Sequence, residues 1–393
     1  MVHNSLFGGA IKAKCDESRQ LFESLKNSET MLFDDTEELH MLLENMRMVV
    51  DENMDESNLA NYYFMERQQY ELFIIVMVTR QCNFRCVYYY ENFVDVRMDD
   101  TTYNDLLTAI EHLIDTKGYK ILRVSFFGGE PMLEYDSMCK FSEKAGELAD
   151  RKEIFYRAGI TTNGYLLTKE KLEKLSGLRV HDFMITVDGL KETHDKSRFL
   201  VNGKGTWDII MKNLPDARDS KCDYSMTIRT NFGEEIQHTQ DEFLRFLSQN
   251  FKDDENLDIV EDEAGVVSEM LITAKRMGLN IEGSLFFANP FSLVCYAAKN
   301  DSFTIDCDGK IMKCTVHLDI PENHIGGISE GKFQVKDHLA AMWTSGDLRE
   351  KCKSCKILPV CYNKKCPAII MPDEACEMYI SNYENALKAL YLM

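Results

Sequence analysis

From Leu72 onward the chain alternates between short apolar runs and longer amphipathic stretches, and this alternation restricts the fold more than any other feature. The strand-like runs are Leu72–Val78, Leu122–Phe127, Tyr156–Thr162, Phe183–Val187 and Ser225–Asn231. Between them, Tyr103–Thr116, Tyr135–Arg151, Lys169–Leu175, Trp207–Asp219 and Glu234–Gln249 carry apolar residues at helical spacing. Strands alternating with helices predict βα units around a parallel sheet, an α/β fold. The acidic stretch Lys252–Glu263 reads as a solvated loop.

The first run leads into a loop, CNFRC, that carries Cys82 and Cys86. Three intervening residues let two thiolates of one loop reach a single inorganic cluster. CNFRCVYYYE resembles the signature of radical S-adenosylmethionine (SAM) enzymes, C-x3-C-x-aromatic-C, whose three cysteines hold a [4Fe–4S] cluster with one iron open to SAM. Cys82, Cys86 and the aromatic Tyr88 stand at motif positions, and Tyr89 stands where the third cysteine belongs. A phenol with an unperturbed pKa near ~10 is a poor soft-metal ligand at neutral pH. Three readings stay open: a variant chain with an impaired cluster, unusual ligation by Tyr89, or one altered codon.

The resemblance implies a partial (β/α)6 barrel with its active residues at the C-terminal ends of the strands. FFGGEP follows the second run; Gly128 and Gly129 let backbone approach a ligand closely, and the Glu130 carboxylate suits an ammonium group. This segment resembles the family's site for the SAM amino group. The next runs end in TTNG, VDG and RTN, each by itself an ordinary turn signal. By resemblance, Asn163 and Asp188 line the SAM pocket and Arg229 pairs with the SAM carboxylate through its planar fork. His194 and Arg198, in GLKETHDKSR, resemble a substrate-facing segment and read equally as a solvated loop.

Thirteen cysteines without an apolar signal core at the N-terminus point to metal or redox chemistry rather than disulfides, in a cytoplasmic protein. No apolar stretch approaches the ~20 residues that span a bilayer. Cys295 and Cys314, the latter ending the hairpin-like IDCDGKIMKC turned at Asp308-Gly309, precede Cys352, Cys355, Cys361, Cys366 and Cys376. This spacing resembles the SPASM extension of radical SAM peptide maturases, which carries two auxiliary [4Fe–4S] clusters. A zinc ribbon fits CKSC but leaves too many cysteines over for tetrahedral sites. Transferred position by position, Cys352, Cys355, Cys361 and Cys376 hold one cluster, and Cys295, Cys314 and Cys366 the other. Some relatives have a further cysteine six residues after the first; here that position is Asp301. The fourth site of this cluster is then an open iron for a substrate thiolate, or it is filled by Cys307. Cys15, Cys139 and Cys222 read as buried small hydrophobes.

Residues 1–70 combine a hairpin in SLFGGAIKAK, amphipathic helices at Asp16–Lys26 and Thr36–Leu43, and a strand and turn in MRMVVDENMDE. This resembles the winged-helix module with which peptide-modifying enzymes grip a leader peptide; a cap packed on the next domain is the other reading. The expected division is 1–70, a barrel over 71–284 and a cysteine-rich extension over 285–393, in keeping with ~150 residues per domain. A formal charge of −20 argues against nucleic acid or an anionic membrane as the main partner. The whole pattern resembles maturases that crosslink ribosomally made precursor peptides, by thioether or other bonds, with electrons from a ferredoxin or flavodoxin. The alternatives are an anaerobic sulfatase maturase forming formylglycine and a non-catalytic protein that binds peptide or passes electrons.

Overall fold

The computed structural model describes residues 2–3, 10–11, 54–88, 93–231, 234–252, 254–261, 269–281, 294–344 and 350–361, together with 376–377, 380–381, 383–385 and 387. Tyr89, Cys15, Cys366, the helices expected at Asp16–Lys26 and Thr36–Leu43 and the strand expected in MRMVV lie outside these residues. Two compact units divide the chain. One comprises Met1–Met65, Phe286–Val294 and Asp347–Lys365. Within it, β1 (Val2–His3) pairs antiparallel with β2 (Ala10–Ile11), and short helices run over Glu350–Lys353 and Leu358–Cys361.

The other unit, Glu66–Leu285 with Cys295–Gly346 and Cys366–Met393, is built on a ten-stranded sheet. Its parallel part comprises β3 (Glu71–Thr79), β5 (Ile121–Gly128), β6 (Phe155–Thr162), β7 (Val180–Thr186), β9 (Ser225–Thr230) and β10 (Leu257–Glu261). These six strands lie side by side in chain order. In β5 and β9 burial alternates residue by residue. The fully buried face of β5 packs against the helices: Phe126 meets Phe141 of the helix Tyr135–Lys152 edge to face at 5.9 Å, and Phe141 touches Tyr103 of the helix Asp100–Lys117. The helix Asp100–Lys117 starts where the Asp99 side chain accepts from the Thr102 amide and stops at Gly118, whose φ of 74° only glycine adopts freely.

The five strands and five helices anticipated from the periodicity are all present, with bounds shifted by a few residues. The sixth strand was hidden in the acidic stretch expected to be a solvated loop. Leu257 and Ile259 are buried and pair in register with Met226 and Ile228, so a two-residue apolar alternation outweighs the acidic composition around it. The helix Glu56–Gln68 was likewise unanticipated.

After the barrel strands, β11 (Ser302–Ile305) adds itself parallel to β3 and turns into the antiparallel strands β12 (Lys310–Met312), β13 (His324–Ser329) and β14 (Lys332–Val335). The hairpin expected at Asp308-Gly309 is present, closed by the Gly309 amide on the Asp306 carbonyl at 2.9 Å. Strands β11–β14 thus belong to the same sheet as β3, and residues 295–346 to the same compact unit as residues 66–285.

If Leu257–Glu261 is a packed strand, Ile259→Ala should destabilise by about 2–5 kcal/mol in a denaturant titration. Glu255→Ala, four residues away on the exposed surface, should change stability by less than about 0.5 kcal/mol.

Candidate active site

The ends of five parallel strands bring the candidate residues together. β3 leads into the loop with Cys82 and Cys86, β5 into Gly128-Gly129-Glu130, β6 into Asn163, β7 into Asp188 and β9 into Asn231. The first two loops are interlocked through their backbones: the amide of Gly129 donates to the Thr79 carbonyl at 2.9 Å and that of Glu130 to Gln81 at 2.8 Å. A Cβ on Gly128 would lie 2.1 Å from the Thr79 carbonyl oxygen, and one on Gly129 2.2 Å from that of Gln81. The close approach that these glycines permit is thus to the cysteine loop itself.

Glu130 is buried and its carboxylate is already engaged by three donors. Oε1 accepts from the Met132 amide at 2.9 Å and the Thr162 hydroxyl at 2.6 Å, while Oε2 accepts from the Asn163 amide at 2.7 Å. Burial raises its pKa against the pull of these bonds. Its evident work is to tie the β5 and β6 loops together. Asn163 continues the chain of contacts, donating from Nδ2 to Asn83 Oδ1 at 2.8 Å.

Cys82 is buried, and its sulfur accepts from the Phe84 amide at 3.4 Å. Burial pushes the Cys82 thiol up to about 12 and raises Cys86 as well, so only a bound metal would hold them as thiolates at neutral pH. The segment carrying Cys86 is β4 (Phe84–Cys86), which pairs antiparallel with β8 (Arg198–Leu200) and sets Cys86 opposite Arg198. Arg198 is buried, not on the solvated loop that one reading of the sequence gave it. Burial alone would lower its pKa, but Cys86, Tyr88 and Asp188 outweigh burial and hold the guanidinium charged.

Tyr88 occupies the centre of this group. Its hydroxyl donates to Asp188 Oδ2 at 2.5 Å and accepts from Arg198 at 2.5 Å and from Asn231 Nδ2 at 2.9 Å. Burial, ahead of the neighbouring charges, raises its pKa. Asp188 is also buried and accepts the Asn231 amide at 3.0 Å. Arg198 Nε is buried and bonds to no atom among the described residues, which leaves one charged donor for a ligand. Arg229 stands beside this group, its backbone carbonyl holding the Val187 amide at 2.9 Å.

His194 is fully buried, which removes it from any substrate-facing surface. Its Nδ1 accepts the Asp188 amide at 3.2 Å, which places the proton on Nε2, directed at the Thr206 hydroxyl at 3.1 Å; that hydroxyl donates to the Arg198 carbonyl at 2.6 Å. One imidazole thus fixes the backbones of both Asp188 and Arg198. Asp195 accepts the Thr206 and Trp207 amides and starts the helix Trp207–Arg218. The HDKSR segment is scaffold for the site, a role that no local sequence signal announces.

The C-terminal cysteines fall into both units. Cys295 and Cys314 flank Tyr296, whose hydroxyl bonds to Thr315 through its Oγ1 at 2.8 Å and its amide at 2.9 Å. Cys307 faces elsewhere: its thiol donates to the Met77 carbonyl at 3.1 Å. Asp301 is hydrogen-bonded by the Tyr119 hydroxyl. Cys352 and Cys361 lie on the two short helices of the other unit and Cys355 between them, with the Cys355 amide on the Cys352 carbonyl at 3.1 Å. Among the described residues no three His, Cys, Asp or Glu side chains converge as a metal site. Cys139 is buried as expected, whereas Cys222 is half-buried and 3.2 Å from the Ser220 hydroxyl. No helix of the described residues is long and apolar enough to cross a membrane.

Residues 76–247 match the model of the Radical SAM superfamily. Over 146 residues, 37% of this chain and 34% of the relative, it is 28% identical to the Fe-coproporphyrin III synthase of Methanosarcina barkeri. It is 24% identical over 330 residues to the cysteine-type anaerobic sulfatase-maturating enzyme of Clostridium novyi, covering 73% of this chain and 86% of that one. The chain spans only 34% and 43% of the first two curated relatives. Among solved structures, anSMEcpe with bound AdoMet and the Kp18Cys peptide superposes with a TM-score of 0.60 at 15% identity, covering 82% of this chain and 97% of that one. SuiB of Streptococcus suis bound to its precursor peptide SuiA gives 0.51 at 15% identity, covering 91% and 87%. At such identities the likeness is one of fold.

The neutral, buried His194 makes stability depend on pH. Burial holds its pKa at about 3, below the ordinary 6.5, so the unfolded chain binds the extra proton between these values. The contribution is complete above 6.5 and is lost as the pH falls toward 3. Acidification from pH 7 to 5 should cost about 2 kcal/mol in urea titrations, and His194→Gln should flatten that step.

Proposed function

We propose that this chain is a radical SAM enzyme that abstracts hydrogen from a residue of a ribosomally made peptide. The observation that carries the reading is the gathering of Cys82, Cys86, Glu130, Asn163, Asp188 and Arg198 at one end of the parallel sheet, within a matched radical SAM domain. Cys82 and Cys86 suit two irons of a [4Fe–4S] cluster: they share one loop, the Phe84 amide meets the Cys82 sulfur, and Arg198 offsets thiolate charge at both. Tyr89 suits the third iron poorly. With cluster and SAM bound, the site would supply reductive SAM cleavage and hydrogen abstraction, leaving methionine and 5′-deoxyadenosine.

The protein's own part is binding, orientation and exclusion of water. Arg229, as the family resemblance implies, and Arg198, through its unpartnered Nε, are the donors for the SAM carboxylate. The Gly128-Gly129-Glu130 backbone borders the amino group, and Tyr88, Asn163 and Asp188 line the pocket. Val87, Val94, Val96 and Val201 expose apolar side chains on the segments around the cysteine loop, which supports a peptide partner there. Residues 1–70 are assigned to leader recognition, and a ferredoxin or flavodoxin to reduction, in the cytoplasm.

In the extension, two auxiliary clusters are assigned to Cys295, Cys314 and Cys366, and to Cys352, Cys355, Cys361 and Cys376. The engagement of Asp301 by Tyr119 and of Cys307 by the Met77 carbonyl favours an open iron in the first, able to take a substrate thiolate in crosslink formation. Formylglycine formation is the second reading, favoured by the similarity to a sulfatase-maturating enzyme over 330 residues. Tyr89 itself favours a third, a non-catalytic relative.

The test is anaerobic iron reconstitution of this chain beside Tyr89→Cys. The substituted chain should gain about four irons and release 5′-deoxyadenosine from SAM with dithionite, whereas the Tyr89 chain should not. Release by the Tyr89 chain would show that a phenol serves at the third position; release by neither would end the radical SAM assignment.

A further inference from the structure

Arg80 follows β3 directly and stands two residues before Cys82. Its amide donates to the Val96 carbonyl at 3.0 Å. Its side chain grips Asp306 at two points: Nε donates to Oδ1 at 3.1 Å, and the terminal NH2 pairs with Oδ2. Asp306 opens the β11–β12 turn and is 3% exposed. Its Oδ1 also accepts the Cys307 amide at 2.8 Å, and the Cys307 thiol reaches the Met77 carbonyl of β3. Beneath this junction Met77, Met312 and Leu318 form a buried apolar cluster that packs the hairpin on β3.

The pair lies outside the Tyr88–Asp188–Arg198 group. A carboxylate excluded from water needs a partner of matching shape, and the planar guanidinium supplies one that a lysine cannot. Once it is made, the first residue of the cysteine loop is held from the hairpin on one side and from Val96 on the other. Eight residues after Asp306, the same hairpin ends in Cys314, so one rigid element carries both the clamp and a candidate ligand of the auxiliary group.

We propose that Asp306 is a positioning residue for the Cys82–Cys86 loop, acting through Arg80. It fixes the base of the loop so that the two thiols keep the spacing a cluster needs. The part that concerns the cluster rests on the function proposed above; the part that concerns the loop does not.

The experiment has two readouts. In the metal-free full chain, amide hydrogen exchange is compared for the parent, Asp306→Asn and Arg80→Lys. Both substitutions should speed exchange over residues 80–86 by about tenfold or more, as local opening does, with exchange in β7 and β9 unchanged. Exchange that stays at the parental rate, or rises equally across the sheet, overturns the clamp. In the Tyr89→Cys background, Asp306→Asn should lower iron retained after gel filtration and raise the KM for SAM more than it lowers kcat. Full retention and parental KM would overturn the positioning role. If Tyr89→Cys itself binds no iron, the proposed function fails while the exchange result still decides the clamp.

Discussion

The site depends on the backbone interlock between the cysteine loop and the Gly128-Gly129-Glu130 loop. Two amide-to-carbonyl bonds cross between strands β3 and β5 at their ends, at a separation no side chain could occupy. Glu130 then anchors the β6 loop to the same point with a buried carboxylate that three donors satisfy. An unsatisfied carboxylate there would cost several kcal/mol, so the three loops are fixed together or not at all. The glycines and the glutamate therefore precondition any ligand chemistry by shaping the protein first.

Charge is handled with similar economy. Arg198 is a buried cation that acts on Cys82, Cys86, Tyr88 and Glu130, and Tyr88 links it to Asp188. A buried guanidinium is tolerated because these groups surround it, and His194 holds the backbone on both sides of it. Two segments far apart in the chain, Phe84–Tyr88 and Asp188–Arg198, thereby become one structural object. Packing β11 on β3 joins the C-terminal hairpin to the base of the same loop.

Much of this was legible. The βα alternation gave the parallel sheet because each strand and helix carries its own periodicity, a local property. Leu257 and Ile259 escaped because seven acidic residues dominate Lys252–Glu263, while a strand needs only alternate residues to be apolar. The candidate residues at successive strand ends were legible as a series, although Gly128 and Gly129 turned out to accommodate the neighbouring loop. His194 and Arg198 were misread in part, since a charged HDKSR segment looks like surface until its partners are known.

By itself, the sequence determined the fold class and the presence of paired cysteines on the first loop, because these follow from local periodicity and spacing. It also determined that Tyr89 stands at the third motif position. Tertiary structure alone decided that Arg198 faces Cys86, that His194 is a neutral brace, and that Asp306 reaches Arg80. Those pairings join residues up to 226 positions apart in the chain, and only β4–β8 and β11–β3 strand pairing brings them within hydrogen-bonding distance.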